Sequence, residues 1–485
     1  MAGHKKIFFL SMSYVLCLDC GATNVRAMIV DDHGAIVAKS SQPNSTDAGS
    51  ENPEYHVWNL DRIVSQLAEC SRKAVAEVDA AQVKAVTITT FGVDGALVDK
   101  EGNLLYPVIS WKCPRTAEIM ANIRKYIPQG RLNEVSGVGE FAFNTIYKFI
   151  WLKEHRPELL DQAYAWLFMP NLISHRLTGQ MFTDRTMAGT SQMTDLKTGT
   201  WSGEILSAIG VELGLFRPMV EAGQSLGDLL PEACELLGLP HSVPVISTGH
   251  DTQFALFGSG VGENQPFLSS GTWEILMLRT PHAALDKEDY AAGATVEYDS
   301  RKGLLNPGLQ WIASGIIEWV KSTCYHGEGY DTMDAEAAAV PPGCDGVSLI
   351  PDFLPSDPVP GCIRGLIMGR TRGHIYRAAM EALTLRLRSR LHKLEKVGGF
   401  KSRDLLLVGG GARNKVWTQM RADILGIPIR IADVSESTVL GAAMYAFAGA
   451  GVYPTPEACR DAFGITYTTV EPGPQHAEYL KIFHK

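Results

Sequence analysis

Four times along this chain a short apolar run ends in a turn built from glycine, serine, threonine or aspartate, and that recurrence restricts the fold more than any other feature. The turns are Asp19-Cys-Gly-Ala-Thr-Asn-Val-Arg26, Ser247-Thr-Gly-His-Asp251, Ser269-Ser-Gly-Thr272 and Gly409-Gly-Gly411. Apolar runs of this length bounded by turn residues read as buried strands. Helical patterns stand between them. Residues 59–78 form an amphipathic helical pattern, and 83–90 read as a buried strand ending in Phe91-Gly92-Val93-Asp94-Gly95. Residues 375–396 place Met380, Leu383, Leu387, Leu391 and Leu394 on one face before Gly398-Gly399, and 415–425 form another helix. Strands alternating with helices predict an α/β fold with a largely buried sheet.

The chain opens as a β-meander: 25–30 resumes the apolar pattern after the first turn, Asp31-Asp32-His33-Gly34 reverses it, and 36–38 follows. Residues 266–278 loosely repeat that strand, polar turn and strand, which suggests two related halves meeting near 255–265. Gly258, Gly260 and Gly262 would suit a hinge there. A chain of 485 residues is also too long for one hydrophobic core. The expected domains are 1–257 and 258–485. Arg386, Arg388 and Arg390 read as a solvated face of the long helix.

A formal net charge of -9 argues against nucleic acid or an anionic membrane as partner. No run of 18 apolar residues is present, so a transmembrane helix is not expected. Nine cysteines without a regular framework suit a reducing cytoplasm. Cys17 and Cys20 form a CxxC, but residues three apart on a strand face opposite ways, so packing is the better reading than a shared metal. Lys5-Lys6 and the apolar residues after them resemble the start of a signal peptide, yet no small-residue cleavage site precedes Asp19. Residues 1–11 therefore read as an extension before the first strand, with Met12 a candidate start.

The turns carry the chemistry. In the first, Gly21 lets backbone N–H groups approach phosphate oxygens, Thr23 and Asn24 add donors, and Asp19 can hold magnesium through water. Ser269-Ser-Gly-Thr272 is a second donor-rich turn. At Gly409-Gly-Gly411 the missing side chains let a flat ligand lie against the backbone, and the following helix start favours anions. Asp251 stands after an apolar strand where a substrate hydroxyl could reach it. An unperturbed Asp pKa of about 3.9 makes a weak base, yet phosphoryl transfer needs positioning more than basicity. Taken one at a time, these are equally a hairpin, a plain βα turn and an N-cap aspartate on a helix starting near Thr252. No G-x-x-x-x-G-K-[ST] loop and no protein-kinase catalytic-loop motif occur.

In this order the four turns resemble those of the FGGY carbohydrate kinases. Phe143-Asn-Thr-Ile-Tyr-Lys148-Phe-Ile-Trp151-Leu-Lys-Glu-His155 is similar to the family's first signature. Gly361-Cys-Ile-Arg-Gly365-Leu with His374-Ile-Tyr-Arg-Ala-Ala-Met-Glu381 is similar to the second. The resemblance runs from about residue 16 to 453 and implies the two-domain actin-like, ribonuclease H-like ATPase fold with a cleft between the domains. Within the family, residues 89–99, 109–115 and 247–256 are similar to members that phosphorylate L-fuculose at the 1-hydroxyl with ATP and Mg²⁺.

The resemblance implies Asp251 as catalytic base and Gly92, Asp94, His250, Asp251, Thr252 and Asn306 as sugar contacts. It places ATP on Gly21, Ala22, Thr23, Asn24, Gly271, Thr272, Gly410 and Gly411, and the metal at Asp19. Many relatives carry an Asp between the aromatic residue and the Arg of the 111–115 segment, where this chain has Lys112-Cys113-Pro114. That departure leaves the role of Arg115 open. The same turns would serve sister kinases of L-rhamnulose, D-ribulose, D-xylulose or autoinducer-2. A non-catalytic sugar or nucleotide sensor on this fold is the reading of another class, although a sensor has no need of a base. The implied partners are a small ketose and ATP, with self-association left open.

Overall fold

The computed structural model describes residues 12–128, 130–354 and 359–483, so the extension expected at 1–11 lies outside the described residues. The chain forms two compact units that interleave along the sequence. The first gathers the chain up to Gly260 together with Glu297–Lys302 and Ser435–Ile465. The second gathers Val261–Val296, Gly303–Val434 and the chain from Thr466 onward. A single cut between 257 and 258 therefore describes the sequence but not the packing, because two later segments join the first unit.

The first unit begins with β1 (Tyr14–Cys20), β2 (Asn24–Asp31) and β3 (Ile36–Pro43), the expected meander. Asp31 closes its second turn by accepting the His33 and Ala35 N–H groups, and Gly34 takes φ +87° there. Next come α1 (Leu60–Val75), β4 (Val83–Thr90), β5 (Ser225–Asp228), β6 (Pro244–His250) and α2 (Asp251–Gly258). Helix α1 starts where Asn59 accepts the Arg62 N–H, and it buries Leu60, Ile63, Leu67 and Ala74. Its last turn ends before the expected residue 78. The sheet order is β5-β6-β4-β1-β2-β3.

The second unit contains β7 (Phe267–Ser270), β8 (Trp273–Met277), the start of β9 (Thr295–Tyr298), whose Glu297 and Tyr298 belong to the first unit, β10 (Leu305–Ile312), α3 (Arg372–Gly398), β11 (Leu405–Val408), α4 (Lys415–Leu425) and β12 (Ile429–Ala432). After α5 (Ser437–Gly449), which belongs to the first unit, β13 (Tyr467–Val470) completes a sheet of order β9-β10-β8-β7-β11-β12-β13. Leaving out β9, this sheet repeats the first strand for strand. β7 pairs antiparallel with β8 and parallel with β11, as β1 does with β2 and β4. β10, β12 and β13 likewise repeat the senses of β3, β6 and β5. The two loosely similar sequence segments are thus the same hairpin in two copies of one topology.

Helix α3 buries Met380, Leu383, Leu387, Leu391 and Leu394, and ends at Gly399 with φ +68°. Its arginines do not form the solvated face read from the sequence. Arg386 pairs with Asp352, Arg388 donates to the Phe483 carbonyl, and Arg390 lies 5.3 Å over the Trp311 ring. Among the described residues no helix is long and apolar enough to cross a membrane.

Helix α5 braces α2 by close backbone approach. A Cβ on Gly441 would meet the Phe254 carbonyl oxygen at 2.0 Å, and one on Gly258 would meet the Ser437 oxygen at 1.9 Å. Those are backbone atoms, so a side chain cannot rotate away. Gly441→Ala is expected to cost about 1–3 kcal/mol through overpacking, read as a lower urea midpoint. An unchanged midpoint would show that the two helices can separate at no cost.

Candidate active site

In the first unit the acids gather at the carboxyl ends of neighbouring strands, the usual ligand-binding edge of such sheets. Asp19 closes β1 with only 3% of its surface exposed. Its Oδ2 accepts from Arg26 Nε at 2.8 Å and Nη2 at 2.5 Å, and its Oδ1 accepts from Thr89 Oγ1 at 3.0 Å. Arg26 in turn donates to Glu436. Beyond Asp19 the turn is open, with Thr23 and Asn24 exposed. Gly21 is required there, since a Cβ would sit 2.9 Å from the Asn24 oxygen. Cys17 and Cys20 are buried, burial pushes both thiols up, and no cluster of three or more metal-binding side chains exists among the described residues.

Asp251 is the first residue of α2, one position before the expected helix start. Its Oδ1 accepts the Thr252 N–H at 2.6 Å and the Thr252 hydroxyl at 3.2 Å, and lies 3.5 Å from His250 Nε2. Those interactions fall on one oxygen, and 33% of the side chain is exposed. Burial pushes the Asp251 carboxyl up, Asp19 adds to the rise, and His250 and the Thr252 hydrogen bonds oppose it. The strand end that carries both residues is held by Asp184, which the sequence reading did not single out. Asp184 accepts from Ser247 and Thr186, and Thr186 Oγ1 accepts the His250 N–H at 2.9 Å.

Gly92 lies against His250, where a Cβ would stand 2.8 Å from Nε2. Asp94, expected as a sugar contact, is instead fully buried. Its carboxylate pairs with Lys148 and accepts from Trp58 Nε1 at 2.7 Å and from the Trp111 N–H at 3.0 Å. The preceding Val93 adopts φ +65°, rare for a β-branched residue. Lys148 Nζ and Thr145 Oγ1 both donate to the Val93 carbonyl and hold that conformation. In the 111–115 segment, Lys112 Nζ lies 3.3 Å from the Ala22 carbonyl oxygen. Arg115 is packed between Tyr55 and Trp151 and donates to Cys113 Sγ, the residue standing in the departure from the usual pattern.

In the second unit the hairpin turn Gly271-Thr272 and the glycine turn after β11 come together. Thr272, Gly409 and Gly410 are exposed. Gly409 has φ +91°, and a Cβ on Gly411 would meet Ser270 Oγ at 2.1 Å. Beneath them Arg421, fully buried, donates to Ser270 Oγ at 3.0 Å and pairs with Glu274. Asn306, the other expected sugar contact, is completely buried in this unit and donates to the Leu278 carbonyl at 2.7 Å. It has no surface to offer a ligand. Asp184, Lys148, Arg421 and Glu297, which lies near His250, carried no turn signal that would have marked them.

Comparison with known proteins agrees with this layout. Residues 14–258 match the N-terminal domain of the FGGY family of carbohydrate kinases, and 267–450 match its C-terminal domain. The protein named L-fuculokinase from Escherichia coli K12 is 50% identical over 94% of this chain and 97% of its own length. The Haemophilus influenzae protein of that name is 41% identical over 95% of this chain and 100% of its own. The crystal structure of xylulose kinase from Rhodospirillum rubrum superposes with a TM-score of 0.87, covering 97% of both chains at 23% identity, a likeness of fold alone. With both domains matched in order across most of its length, the chain belongs to the FGGY family of carbohydrate kinases.

Proposed function

We propose that this chain transfers the γ-phosphoryl group of ATP to the 1-hydroxyl of L-fuculose, giving L-fuculose 1-phosphate and ADP. The observation that carries the substrate is the name shared by relatives 50% and 41% identical over nearly the whole chain. The chemistry rests on Asp251, whose side chain is 33% exposed at the carboxyl edge of the sheet that also carries Asp19 and the Thr23 turn. Asp251 takes the proton from the sugar 1-hydroxyl late in the reaction, as the loose transition state of phosphoryl transfer allows. His250, Thr252 and the backbone at Gly92 orient the sugar. Within the first unit Thr23 and Asn24 are the donors suited to phosphate oxygens; within the second, Gly271 and Thr272 offer donors and Gly410 and Gly411 leave room for an adenosine.

Magnesium suits Asp19, because its Oδ2 is saturated by Arg26 while Oδ1 keeps a lone pair for a metal-bound water. A site with one carboxylate and no protein cage is typical of magnesium, which keeps most of its waters and binds mainly substrate phosphates. Bound there, the ion would offset charge on the phosphates. A cytoplasmic location fits nine cysteines that form no disulfide. Small-molecule substrates are the partners this reading requires, and neither nucleic acid nor membrane enters it.

Coupled ADP release over L-fuculose, L-rhamnulose, D-ribulose, D-xylulose and autoinducer-2 tests the reading. L-Fuculose should have the highest kcat/KM. D-Ribulose, which lacks its terminal methyl, should trail by about 10–200-fold, the discrimination one such group provides. A higher value for another ketose overturns the substrate. No ADP release with any sugar leaves the sensor.

A further inference from the structure

One acid beside the proposed base has no part in the scheme above. Glu297 sits at the end of β9, in the short Glu297–Lys302 segment that joins the first unit. Its Oε2 lies 3.4 Å from His250 Nδ1 and accepts Gln253 Nε2 at 2.7 Å. The far side of the same ring, Nε2, lies 3.5 Å from Asp251 Oδ1. His250 is therefore held between two carboxylates, with 13% of its side chain exposed, and Glu297 is nearly as buried at 16%.

The segment is pinned. Tyr298 packs against Gly189 and under Arg185, its hydroxyl donates to the Asp195 carbonyl, and Ser300 bonds the Tyr445 hydroxyl. Gln253 lies one helical position past Thr252 and fixes the carboxylate from the α2 side. Such bracing from two elements is what a side chain needs to set the geometry of another.

We propose that Glu297 is a positioning residue for phosphoryl transfer: it fixes the His250 ring against Asp251. This rests on Asp251 being the base. A proton on that ring matters because burial and Asp19 oppose ionisation of Asp251, with the Thr252 hydrogen bonds acting against them. Asp19 faces it from β1, neutralised in part by Arg26, which also pairs with Glu436. Asp184 faces His250 from beneath, and the Asp94–Lys148 pair is closed on itself. His250 is raised from its ordinary value: burial works against the charged ring, and Glu297, Asp251 and Asp184 outweigh it. In Asp251 the His250 charge is the largest effect opposing burial.

The sign of the consequence follows. Without the Glu297 charge the ring loses its proton more readily, Asp251 loses its cation, and its carboxyl rises further. The base is then titrated at higher pH. An opposite charge at this range moves a carboxylate by about 1–3 pH units, so Glu297→Gln should shift the acid limb of kcat/KM for the sugar upward by about one unit. Rates below the limb fall about tenfold, the two enzymes converge at alkaline pH, and KM for ATP does not change. Glu297→Asp, which keeps the charge, should restore most of the limb. In a His250→Asn background the same Glu297→Gln change should add no further shift.

An acid limb at the wild-type position in Glu297→Gln overturns the proposal. So does a loss of rate that is uniform across pH, which marks a purely structural role, or an equal shift with His250 already removed. Should Glu297→Gln fail to fold, the Glu297→Asp profile decides: a limb unmoved relative to wild type supports the proposal, and one displaced by about a full unit despite the retained charge overturns it. Asp251→Asn separates the two levels, since normal turnover in that variant removes the base itself rather than its support.

Discussion

Asp251→Asn is expected to lower turnover by about 10²- to 10⁴-fold, the usual contribution of a positioned general base, while ATP still binds. The amide can keep the local structure. Its oxygen accepts the same Thr252 N–H and hydroxyl that Asp251 Oδ1 accepts, at 2.6 and 3.2 Å, so α2 should start where it does now. What it cannot do is take a proton. The pH dependence adds a second mark. Burial and the Asp19 charge hold the Asp251 carboxyl above its ordinary value, so activity is present above that raised pKa and lost as pH falls through it. The acid limb of the wild type should lie above the unperturbed value of about 3.9, and the residual rate of the variant should lack it. Near-normal turnover in a folded Asp251→Asn protein would refute the role given to this residue.

Lys148→Met is expected to destabilise the protein by about 3–5 kcal/mol, the penalty for leaving a buried charge without its partner. Both side chains of the Lys148–Asp94 pair have 0% exposure. The remaining Asp94 bonds, from Trp58 and the Trp111 N–H, do not replace a cation. Lys148 also holds the Val93 carbonyl at 3.0 Å, so its loss frees a turn kept at positive φ and moves Gly92 against His250. Denaturant unfolding gives the loss, and a Lys148→Met/Asp94→Asn double variant should recover part of it by removing the stranded charge. A single variant as stable as wild type would mean that water reaches Asp94 and the pair carries little.

The elements that the sequence made legible are those whose cause is local. Residues 405–408 are a strand because an uninterrupted apolar run between turn residues has no other way to bury both faces, and 83–90, rich in β-branched Val, Ile and Thr, is buried in the same way. Helix α3 follows from one apolar stripe and a terminal glycine. Repetition of strand, polar turn and strand also exposed the internal duplication. What stayed hidden depends on distant partners. The α3 arginines look solvated until Asp352 and the Phe483 carbonyl arrive to cover them.

The site divides in the same way. Asp251, Asp19 and the glycine turns announce themselves by standing at strand ends. Asp94 stands at one too, yet a partner 54 positions later draws it inward. Glu297 lies inside an ordinary strand pattern, and nothing in its neighbours along the chain connects it to His250.

The bracing of α2 by α5 has a consequence for how the protein is made. Residues up to Gly260 leave the ribosome well before Ser435–Ile465, which belong to the same compact unit. At 5–20 residues per second the wait is roughly 10–40 s. During that interval the face of α2 that meets α5, including the backbone at Phe254 and Gly258, lacks its cover. The nascent first unit must stay unclosed while the second is being synthesised, and a chain stopped at residue 260 would carry the proposed base on a helix with no buttress.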